Sequence, residues 1–180
     1  MYTKEYIKQL QSLHADASRR HGFGGKAKKL GKFHVFMEQW KPSTLLDYGC
    51  GKGHVLANLR DAYPTTVCEG YDPAVPMFNK EVFGTYDCVF SNDVLEHIEP
   101  EFIDNVILHI DNLASKYIWL RIDTEPARKK LSDGRNAHLI QESKEWWLEK
   151  INKLVNWNIK YSNLDNKGKL DIAAEKRTYT

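Results

Sequence analysis

The stretch Leu45-Leu46-Asp47-Tyr48-Gly49-Cys50-Gly51-Lys52-Gly53-His54 decides the fold. An apolar run ends in an acid, and glycines follow at every second position. The next segment, His54–Arg60, sets Val55, Leu56 and Leu59 on one face and predicts a helix. A strand that stops in a glycine-rich turn and feeds a helix leaves bare backbone at the carboxyl edge of a sheet. Glycine there permits positive φ and lets a ligand reach the main chain without meeting a Cβ. The helix start behind the turn offers unpaired N–H groups to a polar ligand.

Two nucleotide patterns fail on this stretch. The dinucleotide fingerprint G-x-G-x-x-G/A needs a small residue where His54 stands, which disfavours a nicotinamide oxidoreductase. A phosphate-binding Gly-Lys-Ser/Thr loop is absent, since Gly53 follows Gly51-Lys52. The pattern that does match is acid-x-G-x-G-x-G from Asp47 to Gly53. It resembles motif I of the class I S-adenosylmethionine-dependent methyltransferases, and an ordinary glycine-rich βα turn is the plainer alternative. The resemblance implies that this loop cradles the amino-acid end of the cofactor. Asp47, Tyr48, Gly49, Cys50, Gly51 and Gly53 are therefore cofactor-binding candidates.

The chain of 180 residues suits one domain with a real core. A hydrophobic content of 42% with 28% charged residues is ordinary for a globular protein. No apolar run is long enough to span a membrane, and the N-terminus has no signal-peptide core, so a cytoplasmic protein is expected. Cys50, Cys68 and Cys88 lie in or just after strand-like segments and are expected as buried free thiols. Net charge is +2 but unevenly spread. No acid occurs from Ala17 to Met37, where Arg19, Arg20, Lys26, Lys28, Lys29 and Lys32 stand, whereas Glu69 to Glu125 holds twelve acids against Lys80, Lys116 and Arg121. A basic entrance beside an acidic middle can steer an anionic substrate, and two compensating solvated faces is the alternative.

Periodicity predicts a helix over Tyr2–Arg20, a break at His21-Gly22-Phe23-Gly24-Gly25, and a second helix ending before Pro42. In the family, elements ahead of motif I form a lid, which makes Phe23 and Lys26 lid candidates; helices simply packed on the sheet are the alternative. The second strand, Thr65–Asp72, ends in an acid nineteen residues beyond Gly53. A carboxylate there can accept hydrogen bonds from both ribose hydroxyls, and the family carries its ribose acid at this place. Asp72 and Pro73 join the cofactor candidates. Fourteen residues separate Asp72 from Asp87, too few for a full βαβ passage. The third-strand region is thus shortened, and adenine contacts fall to Val75, Met77 or Phe78.

The segment Tyr86–Ile98 reads as a strand ending near Ser91 and a short helix opening from Asn92 or Asp93. It resembles the family segment after the fourth strand, which places Ser91 and Asn92 beside the cofactor. On a helix, Asp93, Glu96 and His97 share one face. They offer ligands for magnesium or manganese, or a general base. A narrower resemblance, to the E-x-x-E-H cluster of ubiquinone-type and small-RNA 2′-O-methyltransferases, adds His138 as a fourth metal ligand. Catalytic candidates are Asp93, His97 and His138. Without a metal, Asp93 reads as a helix cap, and Glu96 with His97 as a hydrogen-bonded pair.

After Pro100, Phe102–Leu113 forms an apolar-striped helix and Tyr117–Asp123 an interior strand. The loop Thr124–Ala137 leaves the cofactor edge and supplies Arg135 and Asn136 as substrate candidates. His138–Leu154 reads as an amphipathic helix, and Val155–Leu164 with Leu170–Lys176 as a terminal antiparallel pair.

Together these features imply an α/β, Rossmann-like class I methyltransferase sheet with a shortened third-strand region, an antiparallel C-terminal hairpin and an N-terminal helical lid. Residues 1–40 form the lid or extension and 41–180 the S-adenosylmethionine-binding domain, one structural domain overall. The implied activity is methyl transfer from S-adenosylmethionine to an oxygen or nitrogen of a small-molecule acceptor. Two alternatives stay open: an inactive cofactor-binding regulatory or partner module, and an RNA-directed, metal-assisted 2′-O-methyltransferase.

Overall fold

The computed structural model describes residues 2–15 and 32–177. Its elements in chain order are α1 (Lys4–Ala15), α2 (Phe33–Trp40), β1 (Thr44–Tyr48), α3 (His54–Ala62), β2 (Val67–Tyr71), β3 (Tyr86–Asn92), α4 (Ile103–Leu113), β4 (Ala114–Asp123), α5 (Lys144–Leu154), β5 (Trp157–Leu164) and β6 (Lys169–Lys176). The strands form one sheet in the order β2-β1-β3-β4-β6-β5. Pairs from β2 through β4 are parallel, and β6 runs antiparallel to both β4 and β5.

The near-continuous apolar runs explain which strands lie inside. Leu45, Leu46, Cys88, Val89, Phe90, Trp119 and Leu120 are all buried, as strands covered on both faces require. One face packs against α4 and α5 through Val106, Ile110, Trp147 and Ile151. The other carries α2 and α3 through Phe33, Met37, Leu56 and Leu59. The parallel strands all point their carboxyl ends at one edge. Asp123 pairs with Lys169 in register, so the first residue of antiparallel β6 arrives at that same edge.

Between Tyr71 and Tyr86 the chain forms turns, with no helix or strand, which matches the shortened third-strand region. Asp72 N donates to Phe78 O at 3.0 Å, folding this segment back toward the glycine loop. Several expected boundaries differ: β2 spans Val67–Tyr71 rather than Thr65–Asp72, β4 begins at Ala114 rather than Tyr117, and β5 begins at Trp157 rather than Val155. The helix expected over His138–Leu154 begins at Lys144, because Ser143 Oγ caps the Trp146 N–H and Ile140 N is drawn to Glu96 O at 3.0 Å. Strand β3 runs to Asn92, one residue past Ser91. Of the helix expected over Tyr2–Arg20, α1 accounts for Lys4–Ala15, and Phe23 and Lys26 lie outside the described residues. All three cysteines are buried free thiols. No helix among the described residues is long and apolar enough to cross a membrane.

Candidate active site

A cleft of about 630 Å³ opens at the carboxyl edge of the sheet. One end is built by the loop after β1. Gly49, Gly51 and Gly53 sit at φ +79°, +54° and +77°, the left-handed region that an L side chain resists. At Gly49 the requirement is also steric, since an added Cβ would lie 2.4 Å from Val94 Cγ2. The amides of Gly49 and Cys50 donate to Tyr71 O at 2.7 and 3.1 Å, tying the loop to the end of β2.

Asp72 completes this tie. Its Oδ2 accepts from Gly51 N and its Oδ1 from Ala74 N, both at 2.9 Å. Asp47 is 2% exposed, and its Oδ2 has no hydrogen-bond partner among the described residues. Burial, reinforced by the nearby Asp72, pushes the Asp47 carboxyl up to about 8. An orphaned carboxylate oxygen at a cleft wall is chemically suited to the ammonium of an amino acid. Tyr48, Cys50, Pro73 and Asn92 also line the cleft. Gly53 instead backs onto Phe78, and Ser91 is 1% exposed behind the wall.

The other end is assembled from β3, β4, the loop after β4 and β6. The shared helical face expected for Asp93, Glu96 and His97 does not form. Asp93 sits at φ +57°, and the turn that follows, Leu95–His97, is a single 3₁₀ turn. Asp93 therefore swings away to Lys169, whose Nζ lies 3.1 Å from Asp93 Oδ1 and 2.6 Å from Asp123 Oδ2. Glu96, His97 and His138 do converge, with one ligand atom from each within 4.8 Å of the others. Glu96 Oε1 accepts from Asp123 N at 3.0 Å, its buried Oε2 has no hydrogen-bond partner among the described residues, and burial raises the carboxyl to about 7. His97 Nδ1 meets Ala137 O at 2.6 Å, and His138 Nδ1 meets Glu125 O. The two rings stand edge to face, 4.7 Å apart. Burial and the neighbouring His138 lower His97 to about 3, which keeps it neutral.

Helix α1 roofs both ends, with Tyr2, Leu10 and His14 on the cleft wall. Thr3 caps the helix by accepting from Tyr6 N, while its own N–H and Oγ1 donate to Glu99 at 2.9 and 2.8 Å. The Tyr6 hydroxyl donates to His97 O, and Gln9 Nε2 donates to Asp133 Oδ2 at 3.1 Å. The substrate candidates stand in the loop after β4. Arg135 pairs with Asp133 at 2.7 Å, and Asn136 clamps Ala127 through both ends of its amide while accepting from His138 N. Arg128 and Lys129 of the same loop line the cleft, as do Lys167 and Lys169. Lys169, Asp123 and Tyr2 were not picked out by sequence reasoning. Asp123 had a signal, an acid at a strand end, whereas Lys169 depends on strand register and Tyr2 on the docking of α1.

A glycine cradle after β1, an acid after β2 and an antiparallel terminal hairpin define the class I S-adenosylmethionine-dependent methyltransferase fold. A family model described as a methyltransferase domain matches residues 11–159, and the chain belongs to that family. Solved structures agree on the fold. The 1,6-didemethyltoxoflavin-N1-methyltransferase of Burkholderia thailandensis, bound to 1,6-didemethyltoxoflavin and S-adenosylhomocysteine, gives a TM-score of 0.67 at 16% identity, covering 97% of this chain and 90% of that one. DhpI, solved as its SAH complex, gives 0.61 at 14% identity over 96% and 97% of the two chains. Magnesium protoporphyrin IX methyltransferase from Synechocystis PCC 6803, with bound SAM, gives 0.56 at 16% identity over 97% and 92%. No curated protein sequence matches the chain.

Proposed function

We propose that this protein transfers the methyl group of S-adenosylmethionine to an oxygen or nitrogen of a small-molecule acceptor. The observation that carries the reading is the unpartnered Asp47 Oδ2, buried beside a loop whose glycines all adopt positive φ. In this reading Asp47 receives the cofactor's amino group and Asp72 its ribose. Tyr48, Cys50, Pro73 and Asn92 complete the walls, with Gly53 and Ser91 supporting them from behind. Neighbours of the same fold hold this cofactor or its product, and one of them also holds 1,6-didemethyltoxoflavin.

The sulfonium methyl is already activated, so the protein's work is to align the acceptor, exclude water and take a proton. Asp93 is the proposed base, and His138 takes that role only in a protein that holds no ion on its imidazole. His97, held neutral at about 3, is the weaker proton acceptor and serves to orient His138. Arg135 and Asn136 shape the acceptor loop from behind, and the α1 roof over residues 41–180 acts as the lid. The binding step is tested by calorimetry with S-adenosylmethionine, for which micromolar affinity is expected. Transfer is tested by S-adenosylhomocysteine production with phenolic and heteroaromatic N–H acceptors. Binding without product from any of them would favour the non-catalytic module.

The Glu96–His97–His138 group favours a divalent cation as a second element of the proposal. Its donors fit: a buried carboxylate oxygen lacks a hydrogen-bond partner among the described residues, and each Nδ1 faces a backbone carbonyl, the arrangement that orients the other ring nitrogen toward an ion. Asp93, expected among the ligands, belongs to Lys169 instead. Two imidazoles and one carboxylate suit zinc or manganese better than magnesium. A bound ion would polarise an acceptor oxygen. Cobalt(II) titration should give a visible d–d spectrum that Glu96→Gln abolishes; a colourless wild-type protein would remove the ion.

A further inference from the structure

The turns between β2 and β3 leave one part of the proposed cofactor without the residues expected to touch it. Val75, Met77 and Phe78 do not line the cleft; Met77 is 79% exposed, and Phe78 is turned against Gly53 and Gly70. Pro73 lines the cleft beside Asp72, and so does Tyr2 from ahead of α1. The position of Tyr2 is fixed. Thr3 gives its N–H and its hydroxyl to the buried Glu99 at 2.9 and 2.8 Å, and the Tyr6 hydroxyl donates to His97 O. Tyr2 packs against the core that contains Tyr48 and Tyr71, two rings 5.2 Å apart, and against the smaller cluster that contains Ala74. Tyr48 is anchored in turn, its hydroxyl 3.0 Å from His109 Nδ1, and Ala74 N donates to Asp72 Oδ1. Burial, with Tyr71 and Asp72 close by, pushes the Tyr2 hydroxyl up, so the ring is neutral.

In S-adenosylmethionine the purine is joined to the ribose by a single bond. A carboxylate that holds the ribose hydroxyls therefore keeps the purine beside itself. A purine is flat, and its faces are best covered by an aromatic ring. Two tyrosines line the cleft. Tyr48 is 1% exposed and has no ring face to offer, whereas Tyr2 is half-buried, close to Asp72 and held in place. We infer that Tyr2 is the purine platform of the cleft: its ring stacks on the adenine of S-adenosylmethionine and replaces, from ahead of α1, the contact that the shortened passage between β2 and β3 does not make. The inference rests on the S-adenosylmethionine reading above, with Asp72 at the ribose. Because α1 carries this ring into the cleft, docking of α1 and binding of the cofactor favour one another.

The experiment separates the purine from the rest of the ligand. Dissociation constants are measured by calorimetry for S-adenosylhomocysteine, for methylthioadenosine, which lacks the amino acid, and for S-ribosylhomocysteine, which lacks the purine. The proteins are the wild type, Tyr2→Phe and Tyr2→Leu. Loss of the stacked ring in Tyr2→Leu should weaken both purine ligands by roughly tenfold, whereas Tyr2→Phe, which keeps a ring, should cost less than about threefold. S-ribosylhomocysteine should move less than about twofold in either variant, because it has no base to stack. In wild-type protein with labelled tyrosine, the adenine protons of bound S-adenosylhomocysteine should show a nuclear Overhauser effect to a tyrosine ring, and Tyr2→Phe should remove it. Unchanged affinity for the purine ligands in Tyr2→Leu, an equal loss for S-ribosylhomocysteine, or no such effect from Tyr2 overturns the inference. If S-ribosylhomocysteine binds too weakly to measure, or Tyr2→Leu does not fold, the nuclear Overhauser effect decides alone. Failure of the wild type to bind S-adenosylhomocysteine would sink the cofactor reading instead.

Discussion

The two ends of the cleft are built in opposite ways. The end proposed for the cofactor comes from one short loop and one acid, Asp47 to Gly53 plus Asp72, joined by backbone hydrogen bonds from Gly49, Cys50 and Gly51. The end proposed for the acceptor takes Asp93 from after β3, Asp123 from β4, His138 from the following loop and Lys169 from β6. One end is rigid because its backbone is constrained. The other is held by side-chain contacts between distant segments. The contrast teaches where substitutions should act: at the first end through conformation, at the second through charge.

The largest effect is expected at Gly49. Gly49→Ala meets left-handed strain of roughly 1–2 kcal/mol and overpacking against Val94 of about 1–3 kcal/mol. S-adenosylhomocysteine binding should weaken by roughly a hundredfold, read by calorimetry. Retained affinity would show that the loop is softer than its φ values imply. Asp47→Asn comes next, lowering S-adenosylmethionine affinity by about tenfold through the lost charge-assisted hydrogen bond.

Asp47 and His97 should also differ in their response to pH. Asp47 is raised to about 8 from an ordinary carboxylate value near 3.9, so the unliganded fold binds more protons than the unfolded chain between those limits. Its contribution to stability therefore declines as pH climbs through that window, and Asp47→Asn should flatten the slope in denaturant melts. His97 acts with the opposite sign. Lowered to about 3, it contributes stability that is present above about pH 6.5 and lost as pH falls toward 3. His97→Gln should remove that acid limb. Equal slopes in both variants would erase the distinction.

The smallest effect concerns the roof. Thr3→Val deletes the cap of α1 and one bond to Glu99, and should lower stability by about 1–2 kcal/mol in chemical denaturation. It leaves the glycine loop untouched, so S-adenosylhomocysteine affinity should change far less than in Gly49→Ala.

The cofactor end was readable because it is local. Every residue from Asp47 to Gly53 is contiguous, β1 occupies Thr44–Tyr48 as the apolar run indicated, and Asp72 follows one strand later. The spacing from Asp72 to Asp87 likewise foretold that no helix or further strand stands between β2 and β3. The acceptor end resisted for the converse reason. Helical spacing grouped Asp93 with Glu96 and His97, yet a positive φ at Asp93 separates them, and nothing local forces that turn. Lys169 reaches the site through antiparallel register, and Tyr2 through a buried carboxylate at Glu99 that draws in the start of α1. Such contacts between remote segments leave no periodic trace.

The position of the bound cofactor is the most direct test of the proposed site. Amide chemical-shift mapping of ¹⁵N-labelled protein with S-adenosylhomocysteine reads that position glycine by glycine. Large shifts are predicted at Gly49 and Gly51, with little change at Gly84 and Gly134, whose surroundings are open. Absence of shifts at the loop, or shifts centred on Gly134, would contradict the assignment of the cleft.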